Sequence, residues 1–336
     1  MNLSGANESA AQHSASNFLS YVRSLRHIAG KIYSELPWHR RYKKTAHFLL
    51  NSLRYREEFE ALQNVFDSPE LSEVMHLCPA ILDKPFSPYV QIDWGSIQRY
   101  EQLRNHFLML KELFGKSVAE IYKPQGYRLF EFTCHAKKCY SVELFSGYQN
   151  EGSIGIRLCD DQNREVYTLS LHMSGIKGKT CYIGALQGPN YRIPDRQKTI
   201  VSLTRGLHGL RPKALMLETL YMVAYSLKLE QIYGVSNIGN IYNASIYSAK
   251  ITDALRFDRD QMWREYHAVR ISASLFQFPQ EPIRKDIALL KPNKRSMYRK
   301  RYAWLEKAAV QTNDAINRLL ANGTTGENQY DVTKAA

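Results

Sequence analysis

The sequence predicts an α+β fold: a helical N-terminal third, then an antiparallel β-meander that leads into a buried helix and a further strand. Three observations carry this. Apolar residues recur at helical spacing as far as Phe114. From Tyr127 onward, short runs rich in Val, Ile, Tyr and Phe alternate with turn residues, and after Pro189 the helical spacing returns. At 336 residues and 44% hydrophobic content, the chain can bury an ample core without disulfides.

Residues 1–20 are polar and lack the basic start and apolar centre of a secretory signal, so they are expected to be a disordered N-terminus. Phe18, Val22, Leu25, Ile28, Ile32 and Leu36 then mark an amphipathic basic helix that Pro37 ends. Its apolar face suits either a membrane surface or the protein's own core. A second helix is expected over 45–66 and a third over 96–114, closed by Gly115, with the prolines at 79, 85 and 88 making the segment between them irregular. Residues 21–115 thus form a basic helical region expected to pack on a mixed α/β domain at 120–310. The tail 321–336 reads as disordered.

Five strand-like runs follow, at 127–133, 139–145, 154–158, 166–173 and 180–187, separated by Lys, Gly, Asp and Asn. Helices are expected at 197–205 and 212–228, the latter with Pro212 in the first helical position and apolar residues nearly all round, which requires deep burial. Residues 231–236 read as a buried strand.

The net charge of +13 is concentrated in two places. Residues 21–56 hold nine Lys/Arg against Glu35, and residues 284–307 hold nine against Asp286 and Glu306. Aromatics are interleaved in both: Tyr33, Trp38 and Tyr42, then Tyr298, Tyr302 and Trp304. Anionic lipid or an envelope component, and less readily nucleic acid, are the partners such segments suit, with Lys294, Arg295, Arg299, Lys300 and Arg301 as the candidate contact. Solvated helix faces without a dedicated ligand are the competing reading. No window approaches the apolar length of a membrane span, so the expected location is cytoplasmic, with peripheral contact to the inner membrane.

Five cysteines, odd in number and without a Cys-x-x-Cys pair, argue against a disulfide framework and for a reducing compartment. Cys134, His135 and Cys139 have ligand types within reach of one another, but strand cysteines are commonly buried, and no metal is expected.

The stretch with most chemical content joins Gln187 and Gly188, at the end of the fifth run, to Arg205, His208, Gly209, Arg211 and Lys213, ahead of the buried helix. Glycines and cations before a helix N-terminus can seat an anion such as phosphate. They can equally serve only to turn the chain between two helices. His172, His208, Glu218 and Glu143 are the acid/base candidates, each with an ordinary structural role as its competitor; Glu218 in particular could balance Arg211 or Lys213.

Tyr182-Ile183-Gly184-Ala185-Leu186-Gln187-Gly188, Gly209-Leu210-Arg211-Pro212-Lys213, Gly234-Val235-Ser236-Asn237, Asp258, Trp263 and the Lys294-to-Tyr302 stretch together resemble the VirK/YbjX family. That resemblance implies a Gram-negative virulence-associated protein that supports the envelope, including resistance to cationic antimicrobial peptides and correct display of surface proteins. It supplies no reaction. Relatives often carry His near the position of Asn240, and a tighter Asp-Tyr-Asp where this chain reads Phe257-Asp258-Arg259-Asp260. The order of elements also resembles the second half of the acyl-CoA-dependent N-acyltransferase fold, although its pyrophosphate loop pattern is not matched. This leaves the enzyme question open, with acyl transfer from CoA or another acyl thioester as the enzymatic reading and no cofactor established.

Overall fold

Each β-rich run forms a strand in the computed structural model, which describes residues 4–134, 138–175, 178–189, 192–245 and 258–324, with side chains from 17 to 323. The strands are β1 (Tyr127–Thr133), β2 (Cys139–Phe145), β3 (Ile154–Asp160), β4 (Glu165–Ser174) and β5 (Thr180–Gln187). They pair in sequence order, each antiparallel to the next. Nearly every residue of β2 to β5 is buried, so both faces of the sheet are covered, and the uninterrupted apolar character of these runs follows from that.

The next strand, β6 (Gln231–Val235), joins the sheet parallel to β5, because two helices carry the chain back across it. These are α7 (Arg196–Gly206) and α8 (Pro212–Ser226); α8 is buried almost all round and packs against β3 and β4. A short hairpin, β7 (Val269–Arg270) and β8 (Leu275–Gln277), completes an eight-stranded sheet in the order β1-β2-β3-β4-β5-β6-β8-β7.

In the N-terminal third, α1 (Ser4–Ile32) begins earlier than the apolar spacing marks, and its face of Leu25, Ala29 and the adjoining Tyr33 is buried in the core. The amphipathic helix is therefore docked on the protein itself. The helix expected over 45–66 is instead two, α2 (Trp38–Arg54) and α3 (Arg56–Gln63), broken where Tyr55 leaves helical geometry at φ −116° and ψ 49°. The break brings Phe48 and Phe59 edge to face at 5.6 Å, and both are fully buried. Beyond α4 (Ser72–Leu77), the proline-rich connection winds as a 3₁₀ helix over Pro79–Phe86. The helix α5 (Ser96–Phe114) has the expected bounds, and α6 (Val118–Tyr122) leads into the sheet.

After α9 (Arg259–Glu265), the long helix α10 (Pro292–Thr324) packs against α8, α5 and the outer strand β1. At its far end Gly323 meets Gly115, where a Cβ on Gly115 would lie 2.6 Å from the Gly323 carbonyl oxygen. Side chains at either position would force the helix ends apart. The expected tail at 321–336 is helical as far as Thr324, and the remainder lies outside the described residues. No described helix is long and apolar enough to cross a membrane.

Candidate functional site

The parallel pairing of β5 and β6 runs from Thr180 and Gln231 only as far as Ile183 and Gly234. Beyond that point β5 continues to Gln187 along β4, while Val235 pairs with Leu275 of β8, so the ladder between β5 and β6 stops before either strand's outer edge does. Where a parallel pair ends in a mixed sheet, loops can converge without disturbing the core.

The loop before β3 enters here. Gly184 makes room for it, since a Cβ at that position would lie 1.9 Å from the Glu151 carbonyl oxygen. The Glu151 carboxylate is buried and accepts hydrogen bonds from Gln187 Nε2 at 2.7 and 2.9 Å, from Tyr242 Oη at 2.9 Å and from Ser170 Oγ at 3.4 Å. Burial raises its pKa above the ordinary carboxylate value, while the bonds from Tyr242 and Gln187 and the charge of Arg259 pull the other way. Arg259 is itself buried, which lowers its pKa, and its Nε has no hydrogen-bond partner among the described residues. A buried acid, a phenol and a buried guanidinium therefore converge where the two strands separate.

The segments that hold them follow from local chemistry. Asp258 caps α9 by accepting from Gln261 N at 3.0 Å, a bond of a kind that contributes about 1 kcal/mol. Asn237 clamps the same helix start: its side chain donates to Asp258 at 2.9 Å and accepts from Arg259 N at 2.9 Å. Trp263 Nε1 donates to the Val235 carbonyl at 2.8 Å, and Gly234 lies beneath that indole with no space for a Cβ. The Gly-Val-Ser-Asn run, Asp258 and Trp263 thus fix the start of α9, which carries Arg259. Asn240 is buried and its Oδ1 accepts from Tyr242 N at 3.3 Å, so it shapes the turn that carries Tyr242.

A cavity of about 310 Å³ opens beside this cluster. Its walls are Gln187 and Gly188 from the end of β5, Glu165, Tyr167 and Thr168 from β4, Tyr148 from the loop before β3, and the exposed Arg192. Gln187 is shared by the cavity and the Glu151 cluster. None of Arg205, His208, Gly209, Arg211 and Lys213 lines it. Arg205 and Arg211 are exposed at the ends of α7 and α8, Lys213 reaches Glu265 at 3.5 Å, and the His208 carbonyl accepts from Arg301 Nε and Nη2 at 3.1 and 2.9 Å. His208 and Gly209 both have positive φ, 52° and 79°, and turn the chain beneath α10.

The other candidates have structural partners. Glu218 pairs with Arg284 and not with Arg211 or Lys213, a correction with a simple cause: the chain after β8 returns over α8 and brings a guanidinium to it. Glu143 accepts from Arg157 Nε at 3.0 Å and from Ser141 Oγ at 2.8 Å. His172 is fully buried, with Nδ1 at 3.0 Å from Tyr89 Oη, and stacks on His106 at 5.0 Å. Lys84 joins the same buried network, donating to Gly152 O at 2.6 Å and to Ser153 Oγ at 3.0 Å. Cys134 and Cys139 are free thiols, while His135 lies outside the described residues.

Of the second basic segment, Arg295 is turned back onto the carbonyls of Leu290 and Ala288, each at 2.9 Å, and Arg301 onto His208. Lys294, Arg299 and Lys300 are exposed. Trp304 packs against Phe130 and Phe132, so this segment's largest aromatic belongs to the fold.

Sequence reasoning missed Glu151, Arg259, Tyr242 and Arg192. A glutamate in a Gly-rich loop and an arginine at a helix start give no signal of burial until the strands that enclose them are placed.

The fold and site define a mixed α/β protein whose chemistry-bearing side chains gather at the end of its parallel strand pair. The family profile described as a protein of unknown function, DUF535, matches residues 38–314, and the chain belongs to this YbjX-type family. It is similar to the uncharacterized protein YbjX of Escherichia coli K12, with 27% identity over 82% of this chain and 83% of that one. An uncharacterized protein of Haemophilus influenzae is 24% identical over 65% of this chain and 71% of its own length, and a second from that organism is 30% identical over 44% and 47%. No solved structure matches the chain significantly.

Proposed function

We propose that the protein transfers an acyl group from a thioester donor, such as acyl-CoA or an acylated carrier protein, to an amine or hydroxyl on an envelope or protein substrate. The observation that carries this reading is the pairing of a buried carboxylate, Glu151, with a phenol, Tyr242, at the point where β5 and β6 separate. The sheet order supports it, since an antiparallel run, a parallel neighbour and a returning hairpin resemble the second half of the acyl-CoA-dependent N-acyltransferase fold.

In this reaction the acceptor attacks the thioester carbonyl and gives its proton to Glu151, whose raised pKa suits it to take one. The tetrahedral intermediate collapses with loss of the thiolate. Tyr242 protonates that thiolate and recovers its own proton from Glu151, which leaves the enzyme unchanged and releases a free thiol. Arg259 offers positive charge toward the developing oxyanion. The donor's phosphates would meet one of two cation sets: Arg192 at the cavity, or Arg205 with Arg211 at the exposed turns around α8.

Thermal-shift measurements with CoA, acetyl-CoA, palmitoyl-CoA and acyl carrier protein test donor binding, because a ligand that binds only the folded state raises its apparent stability. An upward shift with the acylated donors is expected. Arg192→Glu should weaken it about tenfold if the cavity holds the phosphates, and Arg205→Ala with Arg211→Ala should do so if the turn does. No shift with any donor contradicts the reading.

A further inference from the structure

The segment Pro37–Lys44 forms the first two turns of α2, and every residue in it is exposed. Full burial in α2 begins only at Phe48, so the side chains of these turns face solvent. They carry Arg40, Arg41, Lys43 and Lys44, with no acidic residue in the first turn and no carboxylate within ion-pairing distance among the described residues. Four cations at a helix N-terminus oppose the helix dipole and one another, an arrangement that costs stability in the free protein. Trp38 and Tyr42 stand one turn apart on the same face, 81% and 78% exposed. The residue ahead of this segment, Leu36, is also exposed. Apolar and aromatic groups are thus exposed on the same turns as the four cations.

We propose that these exposed turns are a docking surface for an anionic lipid bilayer. The order of groups fits the depth profile of a membrane interface: indole and phenol rings sit at headgroup level, and Lys and Arg reach anionic headgroups from long apolar stems. Elsewhere in the basic N-terminal region, Leu25, Ala29 and Tyr33 are buried in the core and are not offered to lipid. The second basic segment lacks this pattern, because its tryptophan packs in the fold and two of its arginines bind backbone carbonyls. The proposal stands independently of acyl transfer, as it rests on α2 and not on the β5–β6 site.

The test uses the full chain and vesicles of phosphatidylcholine alone or mixed with phosphatidylglycerol. Trp94 and Trp263 are buried and Trp304 is packed, so a blue shift of tryptophan emission on vesicle binding reports Trp38. Wild type should co-sediment with the anionic vesicles and shift in emission. A variant with Arg40→Glu, Arg41→Glu, Lys43→Glu and Lys44→Glu should bind about 100-fold more weakly with an unchanged circular dichroism spectrum. Trp38→Phe should lose the blue shift while keeping part of the binding. A Lys294→Glu, Arg299→Glu, Lys300→Glu variant should bind as wild type does. Equal affinity for neutral vesicles, undiminished binding by the α2 variant, loss through the 294–300 variant instead, or tighter binding to single-stranded RNA than to anionic vesicles would each overturn the proposal.

Discussion

Burial disfavours the charged form of Glu151, against hydrogen bonds that favour it. Its folded-state pKa is raised, chiefly by burial, so its charged form is disfavoured by folding, and the penalty is present above the folded pKa and relieved as pH falls toward the unfolded value. Glu151→Gln keeps an acceptor for Tyr242 and removes the buried charge. It should therefore raise stability by about 1 kcal/mol near neutral pH, with the gain shrinking on acidification, as measured by denaturant unfolding. A variant less stable than wild type at every pH would mean that the carboxylate is there for the fold. This residue was not legible in the sequence, whereas Gln187, its partner, was picked out because it ends a strand before a glycine and a proline. His172 and Glu218, by contrast, have the types expected of catalytic groups but are fixed by Tyr89 and by Arg284. Residue type announces capability, and only the neighbours brought by the fold decide its use.

At the scale of elements, the strands were readable nearly to their ends, because a buried sheet leaves uninterrupted apolar runs between polar turns. The helix over 45–66 was misread as continuous because nothing local marks Tyr55; the packing of Phe48 on Phe59 bends the chain there. The length of α10 was hidden for a related reason. Its first turns are basic and its buried positions, Leu305, Ala308, Thr312, Ala315, Ile316 and Leu319, begin only after the first three turns.

The contact between α5 and β4 makes a prediction of its own. His106 accepts from Met173 N at 3.0 Å, and burial holds its pKa down to about 3, with His172 lowered as well. Above pH 6.5 these imidazoles are neutral folded or unfolded. Below it the unfolded chain takes up protons that the folded one refuses, so stability falls as pH drops from 6.5 toward about 3. His106→Gln, which keeps an acceptor for Met173 N, should show a shallower fall in urea unfolding midpoint between neutral and mildly acidic pH. Parallel profiles for variant and wild type would contradict the assignment.

For the whole molecule, the sequence located the positive charge but not its use. Of two basic segments with similar composition, one leaves Trp38 and Tyr42 in solvent while burying Tyr33, the other packs Trp304 in the fold, and only the placement of α2 and α10 separates the two. The anion seat shows the same limit, since Gln187 and Gly188 reach the cavity while the turn after α7 is drawn under α10 by Arg301. What unites the molecule is the cluster of Glu151, Tyr242 and Arg259 where β5 and β6 separate, next to the cavity at the end of β5, and acyl transfer is the chemistry proposed for it. The measurement that meets it most directly is release of free thiol from acetyl-CoA, palmitoyl-CoA and an acylated carrier protein in the presence of a bacterial envelope fraction as acceptor, with wild type compared against Glu151→Gln and Tyr242→Phe. Wild type should release thiol in an acceptor-dependent manner, and release should fall about 100-fold or more in each variant while both stay folded; release equal in variants and wild type, or none above the protein-free control with any donor, would rule acyl transfer out.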